Sequence, residues 1–328
     1  MTTPLRWGIL GLGGIAHKFA SDLALVDGAV LAAAASRTQA KADAFCAEHG
    51  GKAYGSYQDL LEDDQIDVVY VATPHDSHAA LTIASLEHGH HVLCEKPVAV
   101  NRAQAKRMVD ASSASGKFFM EALWSRFNPT IAAVIDRTQA GDIGQVRYIT
   151  ADFSIEVTAG PESRLLNPEL AGGSLLDMGI YPLFLAYAIM GVPDRITARM
   201  IASETGVDGQ TGIILEYPKA MAVLYSGFAS QSNMEATVTG SLGRFSIEPM
   251  WHASDAYRHH VNRASDFERH HHPRKGLGFV HEIEECHRCI RSGETESALW
   301  SHRDSLNLIA LLDGVRREIG LRYPMDSE

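Results

Sequence analysis

Short apolar runs at residues 7–10, 29–35, 68–72, 91–94 and 118–120 alternate with stretches of helical period at 38–49, 77–88 and 101–115. Nearly continuous apolar strands separated by crossover helices predict a parallel sheet covered on both faces. Asn101 stands where a helix N-cap belongs. After Phe127 the rhythm changes. Asn128-Pro129 predicts the cap and first turn of a helix running to about Gln139. Longer runs follow at 146–155, 195–203, 212–217, 221–228, 235–239 and 244–248. With the short Tyr217-Pro218-Lys219-Ala220 connection they predict a largely antiparallel sheet, and helices are expected over 173–190 and from 278 to 291 and beyond. The expected fold class is α/β: a doubly wound parallel sheet over 1–121, then an α+β domain over 122–328 with a large, mostly antiparallel open sheet.

Composition narrows the classes. A chain of 328 residues suits two domains, and 45% apolar with 21% charged residues is ordinary for globular proteins. With 29 basic and 40 acidic residues the formal charge is −11, which argues against nucleic acid and anionic membranes as partners. An acidic ligand must therefore be held by local donors. The start lacks the pattern of a signal peptide, and no run is read as transmembrane. Four cysteines, Cys46, Cys94, Cys286 and Cys289, are too few for a disulfide framework and suit a reducing cytoplasm. Cys286 shares helical spacing with Phe279, Ile283 and Ile290, so Cys286 and Cys289 read as core positions rather than half of a zinc site.

Gly11-Leu12-Gly13-Gly14-Ile15-Ala16 follows the first expected strand and opens the first helix. In that setting it matches a dinucleotide-binding turn. Gly11 permits the tight turn, Gly13 lets backbone approach a pyrophosphate, and Ala16 lets helix and strand pack closely, while the helix N-terminus holds the phosphates. Gly14 and Ile15 complete the turn. The second strand ends Ala35-Ser36-Arg37-Thr38, where an NAD-binding protein usually places an acid for the ribose hydroxyls. Ser36 and Arg37, with Lys41, suit a 2′-phosphate, so NADP is expected over NAD; the bland alternative is a solvated turn. Glu95-Lys96-Pro97 comes directly after a strand, at the sheet edge where ligands bind, and its cation serves chemistry unless this is an ordinary charged loop. Asp177 and Tyr181 lie four residues apart on a helix that is apolar nearly all round. An unpaired buried carboxylate is costly, so the two face a polar cleft or form a structural hydrogen bond in the core.

Together these features resemble the glucose–fructose oxidoreductase/inositol dehydrogenase family (Gfo/Idh/MocA) over nearly the whole chain. The resemblance rests on the glycine turn, Val71-Ala72-Thr73-Pro74 followed by His78, Glu95-Lys96-Pro97, and the helix at 172–181. Three further stretches, 121–129, 177–181 and Gly320-Leu321-Arg322-Tyr323-Pro324, resemble the branch of dimeric dihydrodiol dehydrogenases and NADP-dependent D-xylose 1-dehydrogenases. Inositol dehydrogenases usually have His where Tyr181 stands, and the family's common Asn after Thr-Pro is His75 here. The resemblance implies an N-terminal Rossmann domain and a catalytic centre of Lys96 and Tyr181, supported by Asp177. It extends the cofactor site over Thr73, Pro74, His75, His78, Glu95, Lys96 and Pro97, and it implies pocket residues Trp124, Arg126, Phe153, Trp251 and Phe279. It also implies a homodimer or larger homo-oligomer paired through the C-terminal sheet.

The expected function is an NADP-dependent oxidoreductase acting on a secondary alcohol or lactol of a pyranose sugar or cyclic diol. Two alternatives remain open: a non-catalytic NAD(P)-binding regulator, and a glucose–fructose-oxidoreductase-like enzyme that never releases its cofactor. The presence of both Lys96 and Tyr181 argues against the regulator, which has no chemical need for the pair. His259, His260, His270, His271 and His272 lie in a polar stretch with Arg258, Arg263, Arg269, Arg274 and Lys275. They read as a solvated or pocket-edge loop, and no metal is expected.

Overall fold

A computed structural model describes residues 3–262 and 265–327. Arg263 lies outside the described residues. Two units emerge, Met1–Trp124 with Lys275–Leu306, and Ser125–Arg274 with Asn307–Glu328. The first contains β1 (Leu5–Leu10), α1 (Gly14–Leu23), β2 (Ala29–Ala35), α2 (Gln39–His49), β3 (Lys52–Tyr54), α3 (Tyr57–Leu61), β4 (Val68–Val71), α4 (His78–Glu87), β5 (His91–Glu95), α5 (Arg102–Ser115) and β6 (Phe119–Ala122). All its strand pairs are parallel, in the order β3-β2-β1-β4-β5-β6. This is the doubly wound order that reverses between β1 and β4 and leaves a ligand crevice beyond the strand ends there. Asn101 caps α5 as expected, its Oδ1 accepting the Gln104 N–H at 3.0 Å. β3 and α3 are too short for hydrophobic periodicity to register.

The second unit contains α6 (Pro129–Gln139), β7 (Val146–Ser154), α7 (Ile180–Met190), β8 (Arg195–Ala202), β9 (Asp208–Tyr217), β10 (Ala220–Gly227), β11 (Ala236–Gly240), β12 (Gly243–Ile247), β13 (Ala256–Val261) and β14 (Glu268–His271). Its strands run in the order β14-β13-β12-β11-β7-β10-β9-β8. Neighbours are antiparallel except β7 and β10. Tyr217 and Ala220 pair across the two-residue hairpin turn. Asn128 caps α6 by accepting the Thr130 and Ile131 N–H groups at 2.9 and 3.2 Å.

Two helices remain, α8 (Val280–Arg291) and α9 (His302–Ile319). The expected continuous domain over 122–328 is corrected here, because Lys275–Leu306 belongs with the first unit. The reason lies in buried polar contacts. Asp22 on α1, 1% exposed, accepts the Leu277 N–H at 2.8 Å and the Phe279 N–H at 2.9 Å. The Trp7 indole N–H donates to His287 Nε2 at 3.0 Å, and Phe19 stacks on Tyr70 while meeting Phe279 edge-on. These contacts seat α8 against the β1–α1 layer.

The histidine-rich segment is also corrected: it forms β13 and β14 rather than a solvated loop. His259 and His260 are buried. The Arg137 guanidinium on α6 donates to Tyr257 Oη at 2.9 Å, His270 Nε2 at 2.8 Å and His259 Nδ1 at 3.2 Å, and Arg244 donates to His260 Nδ1 at 3.1 Å. Polar side chains with partners occupy inward positions that a search for apolar alternation passes over. A third correction concerns residues 168–190. Against the expectation of no such run, Pro168–Met190 is long and apolar enough by length and composition to cross a membrane. Its most apolar stretch is 78% buried inside the protein, as a core element.

Candidate active site

In the first unit the glycine turn closes on the end of β4. Gly11 has φ +90°, and a Cβ there would stand 2.7 Å from Thr73 Cγ2 and 2.8 Å from the Ala72 carbonyl oxygen. Only glycine fits. At Gly13 and Gly14 no described residue comes within 4 Å of a Cβ position, so the backbone at the start of α1 is open to a ligand. Gly13 caps α1 without a side-chain hydrogen bond, and the first turn carries no acid. Open backbone at a helix start with no competing carboxylate fits an anionic pyrophosphate. Ile15 is half-buried beside it, and Ala16 is fully buried, as close helix–strand packing requires.

Ser36 is buried at the end of β2, its N–H donating to the Tyr54 carbonyl, while Arg37 and Lys41 are exposed beside it. Burial pushes the Asp76 carboxyl up, and the Arg37 charge pulls it partly back. In the turn after β4, Ser77 Oγ donates to Thr73 Oγ1 at 2.8 Å, and Pro74 leads into a short turn carrying buried His75. His78 is 0% exposed, with Nδ1 2.9 Å from the Pro97 carbonyl and Nε2 2.9 Å from the Thr73 carbonyl. Its ring nitrogens face protein carbonyls, so His78 braces two ligand-side turns, a correction to its expected direct contact with cofactor.

Glu95 is turned inward as well. One carboxylate oxygen accepts the Tyr70 hydroxyl, and the other accepts the Lys96 N–H at 3.2 Å. Glu95 therefore fixes the backbone that carries Lys96, whose peptide bond to Pro97 is cis. Beneath that turn lies a group that sequence reasoning gave no role. Glu121 on β6, 2% exposed, accepts the Val98 N–H at 2.9 Å, the Trp300 indole N–H at 3.0 Å and the Ser305 hydroxyl at 2.8 Å. Burial pushes the Glu121 carboxyl up; these three donors and the neighbouring Lys96 charge oppose it. Trp124 and Phe279 lie ring to ring at 5.4 Å in this same unit.

In the second unit the expected helix over 173–190 begins as a π-helical turn, Leu175–Gly179, and becomes α7 only at Ile180. Such turns insert a residue and re-aim the side chains around them. Asp177 lies in the π turn and Tyr181 just beyond it, so the two do not share one regular α-helical face as expected. Asp177 pairs with Arg164 at 3.2 Å. Asp208, 0% exposed, holds the start of the turn by accepting Ser174 Oγ–H at 2.8 Å, Leu175 N–H at 2.7 Å and Thr211 Oγ1–H at 2.9 Å. Tyr323, in the C-terminal motif, donates its hydroxyl to the Gly172 carbonyl at 2.5 Å. Gly179 lets the turn approach β10: a Cβ there would lie 2.9 Å from Ser226 Oγ.

Tyr181 is thereby delivered to an aromatic cluster. Its ring lies 5.3 Å from Phe153 and 5.3 Å from His252, and the latter two stack at 4.2 Å. His252 was missed because its signal was masked by its neighbour. Trp251, the expected pocket residue, is 0% exposed and donates its indole N–H to the Asp152 carbonyl at 2.9 Å. It is a core residue that sets His252 in place. Trp251→Phe should lower the unfolding free energy by about 1–3 kcal/mol, through the lost hydrogen bond and the space left in the core, and raise substrate KM by loosening His252; denaturant melts and steady-state kinetics check both. Arg126 is half-buried in the short turn Trp124–Arg126.

Comparison with known proteins gives the same picture. Residues 5–123 match the model of an oxidoreductase family with an NAD-binding Rossmann fold, and residues 131–246 match the GFO/IDH/MocA C-terminal domain. The chain is 34% identical over 330 residues to trans-1,2-dihydrobenzene-1,2-diol dehydrogenase of Xenopus tropicalis, covering 97% of this chain and 99% of that protein. It is 32% identical to the D-xylose 1-dehydrogenase (NADP(+)) of Hypocrea jecorina over 98% of this chain and 93% of that one. The structure of KijD10, a 3-ketoreductase from Actinomadura kijaniata in complex with NADP and TDP-benzene, superposes with a TM-score of 0.87 at 27% identity, covering 97% of this chain and 98% of that chain. With a glycine turn open to phosphates in one unit, a tyrosine presented by a π turn in the other, and relatives matched from end to end, the chain belongs to the Gfo/Idh/MocA oxidoreductase family.

Proposed function

We propose that this oxidoreductase uses NADP to interconvert a secondary alcohol and a carbonyl on a pyranose sugar or cyclic trans-diol, with Tyr181 as the acid–base group and Lys96 as its cationic assistant. The observation that carries the reading is the setting of Tyr181. A phenol is delivered by the π turn to a cluster where one wall is the stacked Phe153–His252 pair. Ring faces beside a proton-transfer group suit the hydrophobic face and hydroxyl edge of a sugar or diol ring. The activities in the names of its relatives, a dihydrodiol dehydrogenase, a D-xylose 1-dehydrogenase and a 3-ketoreductase, support the same substrate class.

When bound, the nicotinamide supplies the hydride acceptor at C4. Tyr181 takes the hydroxyl proton as the C–H bond of the same carbon breaks and the C=O bond forms; in reduction it returns that proton. A phenol with an ordinary pKa of about 10 is a weak base near neutrality, and an ammonium beside it favours the phenolate. Lys96 supplies that ammonium and orients the substrate oxygen. Glu95 and Glu121 hold the backbone on either side of Lys96, which limits its wandering. Asp177 supports the site through its Arg164 pair.

Ser36, Arg37 and Lys41 are the residues assigned to the 2′-phosphate, since the sequence carries no acid at the end of β2. Arg37→Ala should raise KM for NADP by about tenfold, the loss of one charge-assisted contact, and leave KM for NAD unchanged. Reduction of NADP and of NAD by a panel of aldopyranoses, inositols and trans-dihydrodiols, followed by nicotinamide absorbance, tests the whole reading. Cofactor binding with no turnover on any member in either direction would overturn it in favour of a regulator.

A further inference from the structure

On the first unit, one residue past the glycine turn, α1 and the end of α2 bring together His17, Glu48 and His49, none of them assigned a role above. His17 Nδ1 lies 2.9 Å from His49 Nε2 and 3.1 Å from Glu48 Oε2, and His49 Nε2 lies 3.3 Å from Glu48 Oε1. Phe45, 2% exposed, sits against both imidazoles, its ring 4.8 Å from His17 and 4.7 Å from His49.

With the carboxylate ionised, no placement of the imidazole protons satisfies all three contacts. If His17 Nδ1 carries the proton, it donates to both neighbours, and the His49 lone pair then faces a carboxylate oxygen. With the proton on His49 Nε2, the His17 lone pair meets the same fate. When both nitrogens are protonated, two N–H groups point at each other across 2.9 Å. A cation among the three groups resolves the conflict, because every lone pair becomes a ligand.

The spacing suits this. Bonds of about 2.0–2.2 Å to nitrogen and oxygen put neighbouring ligand atoms about 3.3 Å apart in a tetrahedral zinc site, and about 3 Å apart at right-angled positions. We propose that His17, His49 and Glu48 form a binding site for a divalent transition metal of the zinc type, joining α1 to α2. Two imidazoles and one carboxylate are a ligand set such ions take. The His17 and Glu48 side chains are 40% and 59% exposed, which leaves an entry path and room for water to complete the coordination sphere.

A second cluster of the same composition, His259, Glu268 and His270, differs in the respect that matters. There the Arg137 guanidinium donates to both imidazoles, so a cation already fills the place a metal would take. The metal at His17 has no part in hydride transfer. Its consequence is mechanical: α1 begins at the glycine turn, and a bond to the far end of α2 steadies the nucleotide-binding unit.

Titration of the chelator-stripped full chain with ZnCl2 in a calorimeter, with MgCl2 as the control, tests this. Wild type should take up one high-affinity zinc per chain, and His17→Ala and His49→Ala should each weaken it by at least about tenfold, as loss of a direct ligand requires. His259→Ala should bind as wild type does. Melting temperature should rise with ZnCl2 in wild type and in His259→Ala only. Cobalt(II) added to wild type gives a readout independent of the variants, since visible d–d absorption reports an asymmetric nitrogen–oxygen site and should be abolished by one equivalent of zinc. No high-affinity uptake by wild type would overturn the proposal, as would undiminished uptake by His17→Ala and His49→Ala.

Discussion

Tyr181→Phe is expected to lower kcat by about 10²–10⁴-fold, the usual worth of a positioned acid–base group, with NADP affinity unchanged. The substitution is unusually clean. Phenylalanine keeps the ring that lies 5.3 Å from Phe153 and from His252, so the packing that sets the cluster is retained and only the proton carrier is lost. The glycine turn, Ser36 and Arg37 belong to the other unit, which is why cofactor binding should not move. Steady-state kinetics in both directions, with a fluorescence titration of NADP, separate the two effects. A variant that turns over within a few-fold of wild type would show that the proton moves by another route, and Lys96 would be the next group to examine. A loss confined to KM would instead make Tyr181 a binding residue.

The parallel sheet was legible in the sequence because buried parallel strands read as unbroken apolar runs, such as Val68-Val69-Tyr70-Val71, each 0% exposed. The glycine turn was legible for a similar reason: Gly11 is required by backbone geometry that one residue type satisfies. What escaped was held by pairs distant in sequence. Asp22 binding the 277–279 backbone gives no local signal on either partner, yet it decides which unit α8 joins. β13 and β14 escaped because their inward positions include histidines that accept hydrogen bonds from Arg137 and Arg244. The Asp177–Tyr181 spacing was read on a regular α-helix, and the π turn that breaks that regularity depends on an acceptor some thirty residues away, Asp208. The resemblance implies Trp251 as a pocket residue, but its ring is fully buried in the core, and it is its neighbour His252 that faces the tyrosine.

Asp208 also makes the largest expected change in stability. Its carboxyl is pushed from an ordinary 3.8 to about 6, burial being the main cause and its donors from Ser174, Thr211 and Leu175 opposing. All three donors fall on Oδ2, while Oδ1 has no partner among the described residues. A carboxyl whose folded pKa is raised favours the folded state when protonated. Its contribution is therefore fully present below about pH 4 and is lost as the pH rises through about 6. Asp208→Asn keeps a carbonyl oxygen for the three donors and removes the charge. Relative to wild type it should be more stable by up to about 3 kcal/mol at pH 8, and by roughly half that at pH 5. Denaturant unfolding of both proteins at pH 5, 6, 7 and 8 checks the sign and the trend. A constant difference would mean that Asp208 does not titrate in this window, and a destabilised Asn variant at pH 8 would mean that the charge itself is needed to hold the π turn. In that second case Ser174 and Leu175 would lose their anchor, and catalysis should fall with stability, because the same turn presents Tyr181.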